Sequence, residues 1–249
     1  MFHTCATFVA ATATANTDQP AIQDNVMLIQ NQHFVPQSDM FLLWAYHTGV
    51  TELRARINSP TLRQYSPPFI RPINAALLPA TLSRPADYTK MPLRLKALEE
   101  FQIESTNSAA GPNNSHTILG LGLGPIQPAP NGDVYTMRGT GTGTAVAQAW
   151  TQVVMTWADT LPSGRYAVVG MNAWAATAIA ARLIFNNDQP WRPGCVAGAN
   201  DTIIQDEMFR QGGLGVWGTF NAWAMPNVEF LCNAGDTAFT VYLDMVRIG

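Results

Sequence analysis

The second half of this chain reads as a diverged copy of the first. Displaced by 126 positions, residues 27–57 fall on residues 153–183 without a gap. Met27-Leu28-Ile29 lies over Val153-Val154-Met155, Pro36 over Pro162, Leu42-Leu43 over Val168-Val169, and Ala55-Arg56-Ile57 over Ala181-Arg182-Leu183. Only four of the 31 pairs are identical, so the case rests on order: a short apolar run, a proline turn, a long apolar run, then an arginine. The match resumes with shorter offsets, as loops of unequal length require. Phe69-Ile70-Arg71-Pro72 answers Pro190-Trp191-Arg192-Pro193, and Leu119, Leu121 and Leu123 answer Val241, Leu243 and Met245. Two copies of about 120 residues are tandem domains, since solenoid repeats run to about 20–50 residues. Arg56 and Arg182 should then sit at the same point of matching strands, each needing a carboxylate or carbonyl partner if buried.

Composition narrows the class. Charged residues are 12% of the 249 and hydrophobic residues 47%, and that charged share is about half the usual one. So few charges cannot cover the surface of an isolated soluble chain, which points to a membrane or to burial between subunits. The longest strongly apolar stretch without charge lies between Arg165 and Arg182, 16 residues interrupted by Asn172, whereas a spanning helix needs about 20. Burial between subunits is the expectation. The net charge of −3, with no Lys or Arg before Arg54, offers nothing to nucleic acid. Twelve of the fourteen basic residues are arginine; this skew suits protein interfaces and equally a GC-rich genome.

The secondary-structure reading is all-β. Residues 1–20 read as an extended arm. Strands are expected at 26–31, 40–46, 51–58, 69–73, 101–105 and 117–123, the last two as an antiparallel pair around the Gly/Asn/Ser-rich loop 106–115. Residues 93–100 alternate as a strand does, with a short helix as the other reading. Glycines at 120, 122 and 124 leave one strand face bare for a close neighbour. Residues 126–139, followed by the Gly/Thr run 139–144, are the natural linker. Strands follow at 149–157, 165–171, 177–185, 213–220, 227–232 and 238–248, and the alanine-rich 173–181 is read as turn plus strand. The expected organisation is an arm (1–20), a first jelly roll (21–125), a linker (126–139) and a second jelly roll (140–249), two β-sandwiches related by internal duplication.

No constellation for catalysis emerges, and the sequence predicts no catalytic, cofactor-binding or metal-binding residue. His3, His33, His47 and His116 lie in the first half without triad or metal spacing. Glu99, Glu100 and Glu104, and separately Asp201, Asp206 and Glu207, are the densest acidic groups; a carboxylate pair could serve a glycosidase, but solvated loops explain them better. The run 139–143 lacks the GKS/GKT ending of a phosphate loop. Asn113 and Asn200 match a glycosylation pattern too common to carry weight. Cys5, Cys195 and Cys232 are widely spaced and read as buried free thiols. Met1–Ala15 lacks the positive start of a secretory signal, so none is expected. Six of seven tryptophans lie in the second copy; core or interface roles, with Trp217 or Trp223 at the interface, are the expectation, and sugar platforms the alternative.

Low charge, two β-rich copies, long Pro/Gly loops and the lack of a catalytic constellation together resemble the double jelly-roll major capsid proteins of the tectivirus, corticovirus and adenovirus lineage. The resemblance spans about residues 21–249 and is architectural. It implies a non-enzymatic coat protein made in the host cytoplasm and ending in the virion. Three chains would form a pseudo-hexagonal homotrimer that self-assembles with neighbouring capsomers into an icosahedral shell. A penton protein and, in many members, an underlying viral membrane are further implied partners. Neither cofactor nor sequence-specific nucleic-acid binding is implied. The alternatives are a tandem β-sandwich carbohydrate-binding or receptor-binding virion protein, a β-sandwich glycosidase, and a minor capsid or spike protein.

Overall fold

A computed structural model describes residues 3–11, 18–20, 22–23, 28–30, 33–35, 37–49, 52–63, 69–70, 85–109, 114–185, 191–200 and 207–249. The chain forms two compact units. One, the C-terminal unit, is built from Pro125–Gly249 and takes in the first residues of the chain through Cys5; the N-terminal unit is built from Ala6–Pro79 and Ser83–Gly124.

The C-terminal unit has eight strands: β13 (Val134–Ala145), β14 (Trp150–Trp157), β15 (Arg165–Trp174), β16 (Ala178–Ile184), β17 (Gly194–Val196), β18 (Gly218–Asn221), β19 (Asn227–Cys232) and β20 (Asp236–Arg247). They hydrogen-bond in the order β17-β16-β19-β14-β13-β20-β15-β18. Counted within the unit, one half of this sheet runs first-eighth-third-sixth and the other second-seventh-fourth-fifth, which is the jelly-roll order. Phe230 of β19 meets Phe239 of β20 with ring centroids 4.8 Å apart, so the two halves face each other across a core.

The N-terminal unit uses twelve strands: β1 (His3–Ala11), β2 (Asp18–Pro20), β3 (Ile22–Gln23), β4 (Leu28–Gln30), β5 (His33–Val35), β6 (Met40–Thr48), β7 (Glu52–Asn58), β8 (Phe69–Ile70), β9 (Ala86–Asp87), β10 (Leu93–Leu95), β11 (Gln102–Asn107) and β12 (Asn114–Gly122). One sheet runs β10-β6-β12-β1-β3 with β9 also on β6, the other β2-β11-β7-β8, while β4 and β5 form a hairpin. Leaving aside the additions β3, β9 and the hairpin, the order is again first-eighth-third-sixth and second-seventh-fourth-fifth. Phe8 and Phe101 meet across this core at 6.4 Å. The chain is two jelly rolls of one topology.

Two β-bulges establish the duplication at residue level. Gly120 pairs with Trp44 and Leu121 with Leu42, so Leu43 is the extra residue of β6. Asp244 pairs with Gly170 and Met245 with Val168, so Val169 is the extra residue of β15. The second bulge makes Leu53 the extra residue of β7 and Ile179 that of β16. Both pairs are 126 positions apart. Bulges bend a strand at a defined point, and two of them at one offset tie β6 and β7 to β15 and β16.

Elsewhere the structure corrects the sequence reading. The expected arm holds strands β1 and β2, so the first jelly roll begins well before residue 21. The expected linker holds the first residues of β13, and the Gly/Thr run is strand rather than connection. Two of its glycines point inward: a Cβ on Gly139 would lie 2.7 Å from Trp157, and one on Gly141 2.5 Å from Val153. Leu28–Gln30 is not the counterpart of β14. Pro20 and Gln152 lie opposite Glu104 and Glu229, so β2 is, at an offset of 132. Phe69 matches Gly194, since these oppose Arg56 and Arg182, and Leu119 matches Leu243 rather than Val241. β11 and β12 lie in different sheets rather than pairing, β11 beside β2 and β7 and β12 beside β6 and β1. The expected strand 213–220 is strand only at its end, β18, because Gly212 and Gly215 take positive φ in a turn before it. Residues 26–27, 31 and 71–73 of the expected strands lie outside the described residues, while 93–95 is strand and 173–181 is strand end, turn and strand.

Candidate functional site

Among the described residues, Glu99 and Glu104 serve structure. Glu104 accepts from Arg56 Nε at 2.5 Å and from Asn58 Nδ2 at 3.3 Å. Glu99 accepts from the Thr61 backbone N–H at 2.7 Å and from its hydroxyl at 2.5 Å, satisfying the first turn of the short helix α1 (Pro60–Arg63). Asp201 and Asp206 lie outside the described residues, and Glu207 is exposed on a single 3-10 turn. Among the described residues no group of three or more His, Cys, Asp or Glu is placed to hold a metal ion. Cys5, Cys195 and Cys232 are buried free thiols, as expected. Burial pushes the Cys195 thiol well up and Cys232 to about 11, which leaves both as weak nucleophiles.

His3, His47 and His116 are buried too. His47 Nδ1 lies 2.8 Å from the Thr117 hydroxyl. His116 is fully buried, and burial together with the nearby His47 lowers its pKa to about 4. Burial lowers His3 to about 3, and its ring meets Trp217 edge-on at 5.1 Å. Neither His116 nor His3 has a hydrogen-bond partner for its ring nitrogens among the described residues. Both stay neutral at ordinary pH. The side chain of His33 lies outside what is described.

The tryptophans mostly pack inside. Trp174 and Trp217 are buried, and the Trp150 face is taken by the Arg182 guanidinium 4.0 Å from the ring centroid. Trp223 alone stands out, 85% exposed on the turn after β18. The expectation for an interface therefore passes from Trp217, which is core, to Trp223.

One buried site exchanges its parts between the copies. In the first, Trp44 fills the space over Gly120, whose Cβ would overlap the indole. In the second, glycine and large residue swap strands. Gly170 takes the place of Trp44, and a Cβ there would lie 2.8 Å from the backbone of Phe209 and Arg210. Asp244 takes the place of Gly120 and holds Arg210 Nε at 2.5 Å and the Thr136 hydroxyl at 2.7 Å. Burial pushes the Asp244 carboxyl up, but these hydrogen bonds outweigh it and hold it below its ordinary range. The site is structural in both forms.

What remains for function is surface, and here the copies differ. In the first, β1 is buried from His3 through Phe8 on both faces, and β12 from Ser115 through Gly122. In the second, the corresponding strand β13 alternates: Met137, Gly139 and Gly141 are buried, while Thr136, Arg138, Thr140 and Thr142 are exposed. Thr140 pairs with Thr156 on one side and Thr240 on the other, Thr142 with Val154 and Ala238. Beyond Arg138 the result is a face of threonine, alanine and valine, with Val154 77% exposed. Sequence reasoning missed it because the Gly/Thr run looked like a linker; the strict alternation of glycine and threonine is the signal that could have found it.

No known family profile matches the chain, and no curated protein does. Among solved structures it is similar to the major capsid protein P2 from bacteriophage PM2, over 98% of both chains, at 11% identity and a TM-score of 0.27. The strand order and the paired bulges, not this likeness, carry the fold assignment.

Proposed function

We propose that this chain is a structural coat protein of an icosahedral virus, three copies forming a pseudo-hexagonal capsomer. The observation that carries the reading is the pair of jelly rolls with one strand order and two shared bulges in a single chain. Such a chain offers two similar wedges, so threefold symmetry yields six similar positions, and a near-hexagonal outline tiles a closed shell with few distinct contacts. The low charge and the threonine-rich outer face of β13, with Arg138 its one charged residue, fit a surface covered by neighbours. The chain has no enzymatic activity in this reading; His3, His47, His116, the three thiols, Glu104, Glu229 and Asp244 are given to the core and to strand pairing. It works in the virion, beside other capsid proteins such as a penton protein, with or without a membrane beneath.

Sedimentation velocity on the purified chain, with electron microscopy of concentrated samples, tests this. Trimers that grow into hexagonal arrays or shells are the expected result. A monodisperse monomer at high concentration, or a dimer that never passes to larger species, would remove the reading.

A further inference from the structure

We propose that Asn131 is a modification site: the backbone nitrogen of Gly132 displaces its side-chain amide, and water converts the product to aspartate and isoaspartate. Asn131-Gly132 is the one Asn-Gly step in the sequence. It lies on a bend between Pro130 and β13, and both residues are exposed. Neither the Asn131 carboxamide nor the Gly132 N–H is hydrogen-bonded to another described residue. The packing also keeps position 132 a glycine. A Cβ there would lie 2.8 Å from Val246 Cγ1, and Val246 is buried. The same lack of a side chain leaves the Gly132 nitrogen unshielded and its backbone free to turn toward the carboxamide.

The chemistry needs only water. The Gly132 nitrogen gives its proton to hydroxide and attacks Asn131 Cγ. A new C–N bond forms, the Cγ–Nδ2 bond breaks, and ammonia leaves with a proton from water. Water then opens the five-membered imide. Cleavage between the nitrogen and Cγ gives aspartate; cleavage between the nitrogen and the backbone carbonyl carbon gives isoaspartate. Either product adds a negative charge beside Asp133. Isoaspartate also lengthens the main chain by one methylene, just before Gly132 and the Val134–Val246 pair that opens β13.

The fold withholds this reaction from the next most open steps, Asn58-Ser59, Asn107-Ser108 and Asn114-Ser115. Asn58 lies in β7 opposite Gln102 and donates from Nδ2 to Glu104 at 3.3 Å. Asn107 ends β11 and is fully buried. Asn114 opens β12. A strand backbone aims the following nitrogen along the ladder rather than at the side chain.

The test is incubation in mildly alkaline buffer, folded and in parallel in urea, followed by peptide mapping with mass-spectrometric fragmentation. Isoaspartate is counted by enzymatic methyl transfer to its carboxylate. In the folded protein Asn131 should convert at least roughly 10-fold faster than Asn58 or Asn107, a gap of about 1.4 kcal/mol in barrier. In urea the three rates should draw together, as Asn58 and Asn107 are released and Asn131 changes little. Asn131→Gln, whose ring would need an extra methylene, should melt like wild type and lose the acidic species seen on ion exchange. An Asn131 that keeps its amide in the folded chain, or that converts only once unfolded, overturns the proposal. So does an acidic species that persists undiminished in Asn131→Gln.

Discussion

Arg182 of β16 reaches across to Glu229 of β19, Nε to carboxylate at 2.6 Å, with both side chains largely out of solvent. Arg56 of β7 reaches Glu104 of β11 at 2.5 Å in the same register of the first jelly roll. Each arginine is opposite its glutamate in the ladder, so the ion pair is a cross-strand pair inherited by both copies. The surroundings differ. Arg182 has the Trp150 ring 4.0 Å beneath its guanidinium and a side chain 7% exposed, whereas Arg56 is 28% exposed.

That difference sets the first expectation. Arg182→Met leaves a mostly buried Glu229 without its partner and should cost about 3 kcal/mol. Arg56→Met removes a guanidinium already 28% exposed and leaves Glu104 with Asn58 still donating to it, and should cost about 1 kcal/mol. Urea denaturation of the two variants compares them; equal losses would mean that burial does not set the value of this pair.

Gly120→Ala should be among the most damaging small substitutions in the chain. The added methyl overlaps the indole of Trp44, which is fully buried and has no room to withdraw. Overpacking of this kind costs about 1–3 kcal/mol. Gly143→Ala is the contrast, since nothing lies within 4 Å of its Cβ, although its φ of +159° lies at the edge of the range side chains avoid. Thermal melts should show a large drop for the first and a smaller one for the second.

Acid should weaken the fold through the buried histidines. His116 is neutral in the fold, with a pKa lowered to about 4 by burial and by His47, against 6.5 in the unfolded chain. The unfolded state therefore binds the extra proton first as pH drops. This contribution is complete above pH 6.5 and is lost at up to about 1.4 kcal/mol per pH unit between 6.5 and 4. His3, lowered to about 3, acts in the same direction. His116→Gln should flatten the dependence of melting temperature on pH over that window; a slope identical to wild type would refute the assignment.

Trp217 and Trp223 should separate cleanly. Trp217 is 2% exposed and packs on His3, so Trp217→Ala should cost about 3–5 kcal/mol of stability. Trp223→Ala removes a ring already in solvent and should change stability by less than about 0.5 kcal/mol. Denaturation midpoints of the two variants provide the check.

Local order made part of this legible in the sequence. β6, β7, β15 and β16 come in contiguous pairs joined by short turns, so one offset of 126 holds from Leu42 to Arg56 and even carries the bulge residues Leu43 and Leu53. Side-chain alternation also marked Leu119 and Leu121 as one face, though not which residue of β20 each answers, because a shift of two preserves the face. Tertiary structure alone decided the rest. Glu104 and Glu229 lie 48 and 47 residues beyond their arginines, and no local pattern links residues so far apart. β1 and β2 look like an arm because the sheets that hold them are completed by the distant strands β12 and β11. Gly139 and Gly141 look like linker because glycine is read by its backbone freedom, whereas here it makes room for Trp157, Val153 and Met155. The alternation of glycine and threonine marks two faces of β13, but which of them meets solvent is decided only by the neighbours that packing brings to the strand.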